Sequence, residues 1–193
     1  KYFVLHYLYM RSFYADISID TPTKIALDYY TNQAVKHWKE FNLYGQGQIA
    51  LVQFRSGDQK VAKQIVNSLK ENSISSDELG MYWKDNVAGF YNYQAPVETQ
   101  ALLIEAFFEI ENDTKTIDNL KIWLLKNKQT NRWKTTKATT EAIYALLLNG
   151  SDWISISDSI DIQIGTQKIA PSKLENTTVE AGTGYVKNSC LLG

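Results

Sequence analysis

The stretch "VETQALLIEAFFEI", residues 97–110, carries apolar side chains on every side of its middle turns. These apolar residues are Ala101, Leu102, Leu103, Ile104, Ala106, Phe107 and Phe108. A helix on the surface of a globular protein shows one apolar stripe, roughly 100° wide. A helix that is apolar all round is enclosed by neighbours, so the sequence predicts a buried helix over these residues.

Two kinds of helix alternate on either side of this stretch. Amphipathic segments, with apolar residues along one side and lysines or other polar residues opposite, occur at 21–41, 58–71 and 114–128. Mostly apolar segments occur at 46–55 and 137–149, in addition to 97–110. The amphipathic segments are predicted to lie outside and the apolar ones inside.

Start signals and apolar positions refine these predictions. Thr21 is predicted to cap the first outer helix, with Pro22 at its first helical position, and Asp58 to cap the second. The stripe of the first outer helix is predicted to consist of Ile25, Ala26, Tyr29, Trp38 and Phe41. The second is predicted to bury Val61, Ala62, Ile65, Val66 and Leu69, and the third Ile117, Leu120 and Leu124.

A faint internal repeat links two of the inner helices. Thr99, Ala101 and Leu102 align with Thr140, Ala142 and Ile143, 41 residues later, a spacing typical of repeated helical hairpins. The expected fold is therefore mainly α: an α/α toroid, with apolar inner helices wrapped by an amphipathic outer layer. A superhelical array of hairpins gives the same period without closing a ring. The toroid predicts burial of four inner residues: Leu103, Phe107, Ile143 and Leu146.

After Gly150 the pattern changes to that of β-strands. Ile154, Ile156, Ile160, Ile162 and Ile164 recur at even spacing with polar residues between them. Residues 165–167 can turn the chain back into "KIAP", and "TTVEAGTGYVK", residues 177–187, adds another strand-like piece. We therefore expect a helical domain over 1–153 and a short, incomplete β segment of an adjoining domain over 154–193.

Composition limits the functional classes. The chain has 193 residues, of which 44% are hydrophobic and 21% charged, as in globular proteins. A net charge of −1 gives no electrostatic footprint for nucleic acid. No apolar run approaches the ~20 residues that span a bilayer, so no transmembrane segment is predicted. Cys190, the one cysteine, has no partner for an internal disulfide.

Motifs for chemistry are absent from the sequence. His6 and His37 fall on different predicted helices without a metal-ligand cluster, and no phosphate-binding loop is present. A glycosidase would need paired carboxylates, for which the acids in "SSDELGMYWKDN" are the candidates: Asp77, Glu78 and Asp85. The favoured prediction is a protein without catalytic residues, cofactor or metal. Five aromatic residues are candidates for a contact surface or for packing at the end of the ring: Tyr82, Trp83, Tyr91, Tyr93 and Trp133.

The order of several motifs resembles the later part of the thioester-type helical domain of the bacterial alpha-2-macroglobulin-like family. Glu98-Thr99 opens an apolar helix, Trp123-Leu124-Leu125 lies on an outer helix, Trp133 follows in the linker, and residues 139–146 begin the next apolar helix. "EAGTGYVKNS", residues 180–189, resembles the β segment that follows this domain. The resemblance covers about residues 20 to 190 and implies an α/α toroid whose earlier part lies upstream in a larger parent chain.

The same resemblance implies trapping of proteases as the function. Family members hold a bait segment, rearrange when it is cut, and in many cases capture the protease through a buried thioester. The thioester motif Gly-Cys-x-Glu-Gln is missing here, because Cys190 lies in "KNSCLLG". Thioester members tend to have a histidine shortly before the helix that matches 97–110, and "ELGMYWKDN", residues 78–86, has none. We therefore expect an endopeptidase-inhibitor fragment that lacks chemistry of its own.

The implied partners are proteases and the remainder of the parent chain, and the implied location is extracellular or periplasmic, with any membrane anchor supplied by the parent. Two alternatives come from other classes. One is an α/α-barrel carbohydrate-active enzyme, which would require two carboxylates in a cleft about 5–10 Å apart. The other is a protein-interaction scaffold without chemistry.

Overall fold

The structure, a computed structural model, describes residues 1–91, 93–130 and 133–148, together with four short strands near the C-terminus. Residues 1–151 form one compact unit and residues 152–193 another. The first unit is mainly helical. Its helices are α1 (Tyr2–Ser12), α2 (Thr21–Lys36), α3 (Leu43–Arg55), α4 (Gln59–Glu71), α5 (Pro96–Ile110), α6 (Thr114–Thr130) and α7 (Thr136–Leu147). A 3-10 turn, Trp38–Glu40, separates α2 from α3.

The odd-numbered helices pack in series, α1 on α3, α3 on α5 and α5 on α7. The even-numbered helices pack beside them, α4 on α3 and α5, and α6 on α5. The predicted buried stretch forms α5, in which Leu103, Ile104, Ala106 and Phe107 are fully buried. Helix α3 is likewise buried over most of its length, as predicted for an inner helix.

The outer helices α4 and α6 follow the predicted pattern. Ala62, Ile65 and Val66 of α4 are fully buried, and Asp58 caps that helix by accepting a 3.1 Å hydrogen bond from the Val61 N–H. Ile117, Leu120 and Leu124 of α6 are fully buried as well. These predictions are confirmed because each helix presents one apolar stripe to α3 or α5.

The predicted first outer helix is wrong in two respects. Asp20, not Thr21, caps α2, since its Oδ1 accepts a 2.9 Å hydrogen bond from the Thr23 N–H. The helix ends at Lys36, so the buried Trp38 and Phe41 belong to the 3-10 turn and the residue after it. Ile25 is 65% exposed and Tyr29 is exposed too, because α2 makes only a limited contact with α1.

Helix α7 departs from the inner-helix prediction. Its fully buried residues are small ones, Ala142 and Ala145, whereas Ile143 is 48% exposed and Leu147 is 51% exposed. Leu146 is half-buried. The side of α5 that α7 contacts accommodates alanines, and no described element covers the opposite side of α7. An apolar sequence shows that a helix face can be buried, but it does not show that another element packs against that face.

A β-hairpin between α4 and α5 was not predicted. Strand β1 (Ile74–Ser76) pairs antiparallel with β2 (Gly80–Tyr82), and β2 packs on α6. The buried amide of Gln100 fixes this hairpin, because its Nε2 donates to Met81 O at 2.8 Å and to Leu120 O at 3.2 Å.

The second unit contains the other strands. Strand β3 (Ile162–Ile164) pairs antiparallel with β4 (Gln167–Ile169), as predicted from the turn at 165–167. Strand β5 (Thr178–Val179) pairs antiparallel with β6 (Val186–Lys187). Ile154, Ile156, Ile160 and Cys190 lie outside the described residues.

Candidate functional site

Trp83 is a core residue and not part of a contact surface. Its side chain is buried, and its Nε1 donates a 2.8 Å hydrogen bond to Leu69 O at the end of α4. Its ring lies 6.4 Å from the Phe107 ring in α5. Of the two interpretations of Trp83, burial contradicts the contact surface and agrees with packing, because the residue after β2 turns its side chain inward.

Tyr91 and Tyr93 belong to an aromatic column. Tyr93 stacks on Tyr2 with ring centroids 3.7 Å apart, and on its other side it stacks on Tyr91 at 5.2 Å. Phe90, which is 95% exposed, meets Tyr91 edge-on. Asn42 anchors the column by donating a 2.7 Å hydrogen bond from Nδ2 to Tyr93 O. Tyr2 was not predicted as part of this group, because it lies about 90 residues earlier in the sequence, on α1. Phe90, although adjacent to Tyr91, was not singled out either.

Tyr82 and Trp133 lie apart from this column. Tyr82 is half-buried at the end of β2. Trp133 is half-buried near the end of α6, and Lys128 Nζ lies 5.3 Å from the centroid of its ring. Among the five aromatic residues singled out from the sequence, the ring contacts of the described residues join only Tyr91 and Tyr93. The five residues do not form one surface within the part of the chain described.

A cavity of about 360 Å³ lies where α1, α3, α5 and α7 meet. Four aromatic and two acidic residues line it: Tyr9, Phe13, Tyr44, Tyr144, Glu105 and Glu141. Each of the four helices contributes at least one of them, so the packing of the odd-numbered helices creates the cavity. Volumes of about 300–1,000 Å³ are usual for ligand pockets. None of these residues was predicted as a site, because they come from four distant segments.

Arg55 and two glutamates form an ion-pair cluster that contacts this cavity through Glu105. Arg55 Nη2 donates 2.6 Å hydrogen bonds to Glu105 Oε1 and to Glu109 Oε1, and its Nε donates to Glu109 Oε2 at 3.0 Å. The Tyr9 hydroxyl donates a 2.8 Å hydrogen bond to Glu105 Oε2. Burial alone would lower the pKa of Arg55, but the hydrogen bonds and charges of Glu109 and Glu105 raise it above its ordinary value.

Burial and several carboxylates raise the pKa values of groups that line the cavity. Burial raises the pKa of the Tyr44 phenol, and the charges of Glu141, Glu98 and Glu105 add to that rise. Burial also raises the pKa of the Glu141 carboxyl; Lys137 opposes this shift, whereas Glu98 and Glu105 reinforce it. The carboxylates come from α5 and α7, and their convergence around Tyr44 favours positively charged groups in the cavity.

His6 and Gln48 lie next to the cavity. Gln48 Nε2 and His6 Nδ1 are 3.0 Å apart, and the His6 ring lies 5.6 Å from the Tyr44 ring. Burial lowers the pKa of His6, and the charge of Lys137 lowers it further, so both favour the neutral imidazole. Gln48 Oε1 is buried and has no hydrogen-bond partner among the described residues. This amide oxygen can therefore still accept a hydrogen bond.

The acids considered for glycoside hydrolysis lie elsewhere. Asp77 and Glu78 occupy the exposed turn of the β1–β2 hairpin, and Asp85 is exposed after Trp83. Asp85 borders a second cavity with Trp38 and Asn72. Within the described residues, no three His, Cys, Asp or Glu side chains are grouped so that they could hold a metal ion.

No protein-family model matches this chain, and searches of curated proteins and of solved structures returned no match either. None of the helices described has both the length and the apolar character needed to cross a lipid bilayer.

Proposed function

We propose that the chain belongs to an alpha-2-macroglobulin-like protein that traps proteases, and that its helical unit is a segment of an α/α toroid without catalytic residues. The observation that carries the proposal is the alternation of helices. Helices α1, α3, α5 and α7 pack in series, while α4 and α6 pack beside them, each in the interval predicted for an outer helix. This order is the one expected of hairpins around a ring.

The two ends of the series support a larger assembly of helices. At one end, α1 exposes Phe3, Tyr7 and Met10; at the other, α7 exposes Ile143 and Leu147. Within the described helices, α1 and α7 do not pack extensively on each other. Large exposed apolar patches commonly mark contacts with other protein. In a toroid, further hairpins of the parent chain would cover both faces.

The proposed contribution to trapping is mechanical. A trap requires a bait segment and a conformational change, and some members add a thioester that remains shielded from water until that change. Residues 1–151 contain no cysteine, so this unit has no thiol with which to form a thioester. We assign to it the role of a rigid body that moves with the rearranging parent chain outside the cell or in the periplasm.

The test uses the full-length protein that carries this chain. After incubation with trypsin, a trap abolishes cleavage of casein but leaves hydrolysis of a small peptide amide intact, because the enclosed protease remains active. Trypsin inactivated by an active-site reagent is the control, since trapping needs cleavage of the bait. Undiminished casein cleavage would overturn the proposal. Equal retention of active and inactivated trypsin would instead favour a binding scaffold.

The carbohydrate-enzyme alternative has its own readout. The 193-residue chain is incubated with a panel of polysaccharides, and the release of reducing ends is measured. The proposal requires no hydrolysis. Hydrolysis that disappears in Asp77→Asn or Glu78→Gln would favour the enzyme and contradict the trap.

A further inference from the structure

We propose that the cavity between α1, α3, α5 and α7 binds an alkylammonium group. Its lining combines the aromatic side chains of Tyr9, Phe13, Tyr44 and Tyr144 with the acidic Glu105 and Glu141 and the apolar Ala101 and Leu102. Aromatic rings attract cations through their negative faces, and cages of several rings recognise organic ammonium groups. A nearby carboxylate adds Coulomb attraction for the same charge. A volume of about 360 Å³ suits a small head group or a lysine-like chain.

The rings of this cavity already attract cations of the chain itself. Arg55 Cζ lies 4.0 Å from the Phe13 ring centroid and 5.4 Å from that of Tyr9. Lys137 Nζ lies 5.9 Å from the Tyr44 ring centroid and 3.4 Å from Glu141 Oε1. An ammonium group is thus held between an aromatic ring and a carboxylate of the lining, which is the arrangement that a ligand of this class would adopt.

The two resident cations differ in how firmly they are held. Arg55 is fixed by hydrogen bonds to Glu105, Glu109 and Ser12 and is largely buried. The Lys137 side chain is half-exposed, pairs with Glu141 at 3.4 Å and approaches the centroid of the Tyr44 ring to 5.9 Å. Lys137 can therefore swing into solvent and leave its position beside Glu141 to an incoming ammonium group.

Charge balance favours a cationic ligand over a neutral one. Four carboxylates act on the aromatic residues of the lining, those of Glu98, Glu105, Glu109 and Glu141. The cations that act on the same lining residues are Arg55 and Lys137, fewer than the carboxylates. Burial lowers the pKa of His6 and so favours its neutral form, which adds no charge to this balance.

The experiment is a titration of the 193-residue chain at constant ionic strength, followed by amide chemical shifts in NMR. The probes are n-butylammonium, tetramethylammonium and 1-butanol as the neutral analogue. Both cations are expected to give saturable shifts centred on α1, α3, α5 and α7, and 1-butanol none. Equal shifts with 1-butanol, or no saturable shift with either cation, would overturn the proposal.

Variants separate ligand binding from a general structural effect. Tyr144→Ala and Glu141→Gln are each expected to weaken binding of n-butylammonium by roughly threefold to thirtyfold. Glu71→Gln, at the exposed end of α4, is the matched carboxylate control and is expected to leave binding unchanged. Circular dichroism establishes that each variant is folded.

Lys137→Gln gives the most specific outcome. It removes the ammonium group that competes for Glu141, so binding of both cations is expected to tighten severalfold. A purely structural role for Lys137 would leave binding the same or weaken it, and either result would contradict the proposed site.

Discussion

Arg55 Nη2 on α3 and Glu105 Oε1 on α5 are 2.6 Å apart in a pair that is largely removed from solvent, with side chains 13% and 7% exposed. The same guanidinium also bonds both carboxylate oxygens of Glu109, one helical turn further along α5. Ser12 at the end of α1 receives a third contact, 3.0 Å from Arg55 Nη1 to its Oγ. One side chain thus joins α1, α3 and α5, three of the four helices that meet at the cavity.

Removing this guanidinium should destabilise the helical unit strongly. Arg55→Met leaves Glu105 and Glu109 without their cation in a mostly buried position, and breaking one partner of a buried pair costs about 3–5 kcal/mol. The expected loss in free energy of unfolding is of that size. Urea denaturation at pH 7, followed by circular dichroism, measures it.

Lys24→Met is the matched control for this prediction. Lys24 pairs with Asp28 at 3.4 Å on the exposed surface of α2. Exposed pairs contribute about 0–1 kcal/mol, so the control should change stability by no more than that. Equal losses in the two variants would show that burial does not govern the Arg55 pair.

Leu103→Ala should cost about 2–5 kcal/mol in free energy of unfolding, because its side chain is fully buried in a tightly packed interface. A Cβ added at Gly47 would lie 3.0 Å from Leu103 Cδ2, which leaves α3 little room to move into the space. Leu147→Ala, on the exposed side of α7, should cost less than about 1 kcal/mol. Similar losses at both positions would contradict the burial described for α5 and α7.

Helices α5 and α7, which carry these two leucines, show what the sequence could and could not predict. Continuous apolar character over 97–110 predicted burial of α5 correctly, because no side of that helix could face water. The same character in 137–149 predicted burial of Ile143, which is exposed. The local sequence shows which faces of a helix are apolar enough to be buried. Whether another element covers those faces depends on the rest of the fold.

Contacts between distant residues account for the other omissions. Arg55 and Glu105 are 50 residues apart, and Tyr2 and Tyr93 are separated by most of the helical unit. Neither pair has a sequence spacing that predicts contact. The two strands of the β1–β2 hairpin have three residues each. All three residues of β1 are exposed, so β1 lacks the alternation of apolar and polar residues that marks a half-buried strand.

Gly80→Ala should disrupt the docking of the β1–β2 hairpin. Gly80 has φ +71°, which disfavours a side chain, and an added Cβ would collide with the carbonyl oxygen of Asn119 and lie 2.9 Å from Ile122 Cβ. The left-handed backbone costs roughly 1–2 kcal/mol for alanine. The collision with α6 adds about 1–3 kcal/mol of overpacking. Thermal or urea unfolding measures the sum.

Gly57→Ala isolates the contribution of the collision. Gly57 also has a positive φ, +97°, but nothing lies within 4 Å of an added Cβ. This variant should lose only the backbone contribution of roughly 1–2 kcal/mol. If both glycine variants lost the same stability, close packing of β2 on α6 would not explain the requirement for glycine at position 80.

Glu141 should make the stability of the fold decrease as pH rises through the acid range. Burial raises the pKa of its carboxyl in the folded state above the ordinary value of 4.5. Between 4.5 and the folded-state pKa, the unfolded chain has already released this proton while the folded chain still holds it. Deprotonation therefore favours unfolding across that window, and the effect is complete above the folded-state pKa.

Glu40 should behave in the opposite way, which provides a control of opposite sign. The hydrogen bond with His37, 2.6 Å from Nδ1 to Oε1, lowers the pKa of Glu40 below 4.5. Its contribution to stability is then complete above pH 4.5 and is lost as pH falls through the folded-state pKa.

Urea midpoints from pH 3 to about pH 7 give the stability of wild type minus that of each variant. This difference should fall with rising pH for Glu141→Gln and rise for Glu40→Gln. Curves of the same sign would mean that Glu141 is not desolvated beside the cavity.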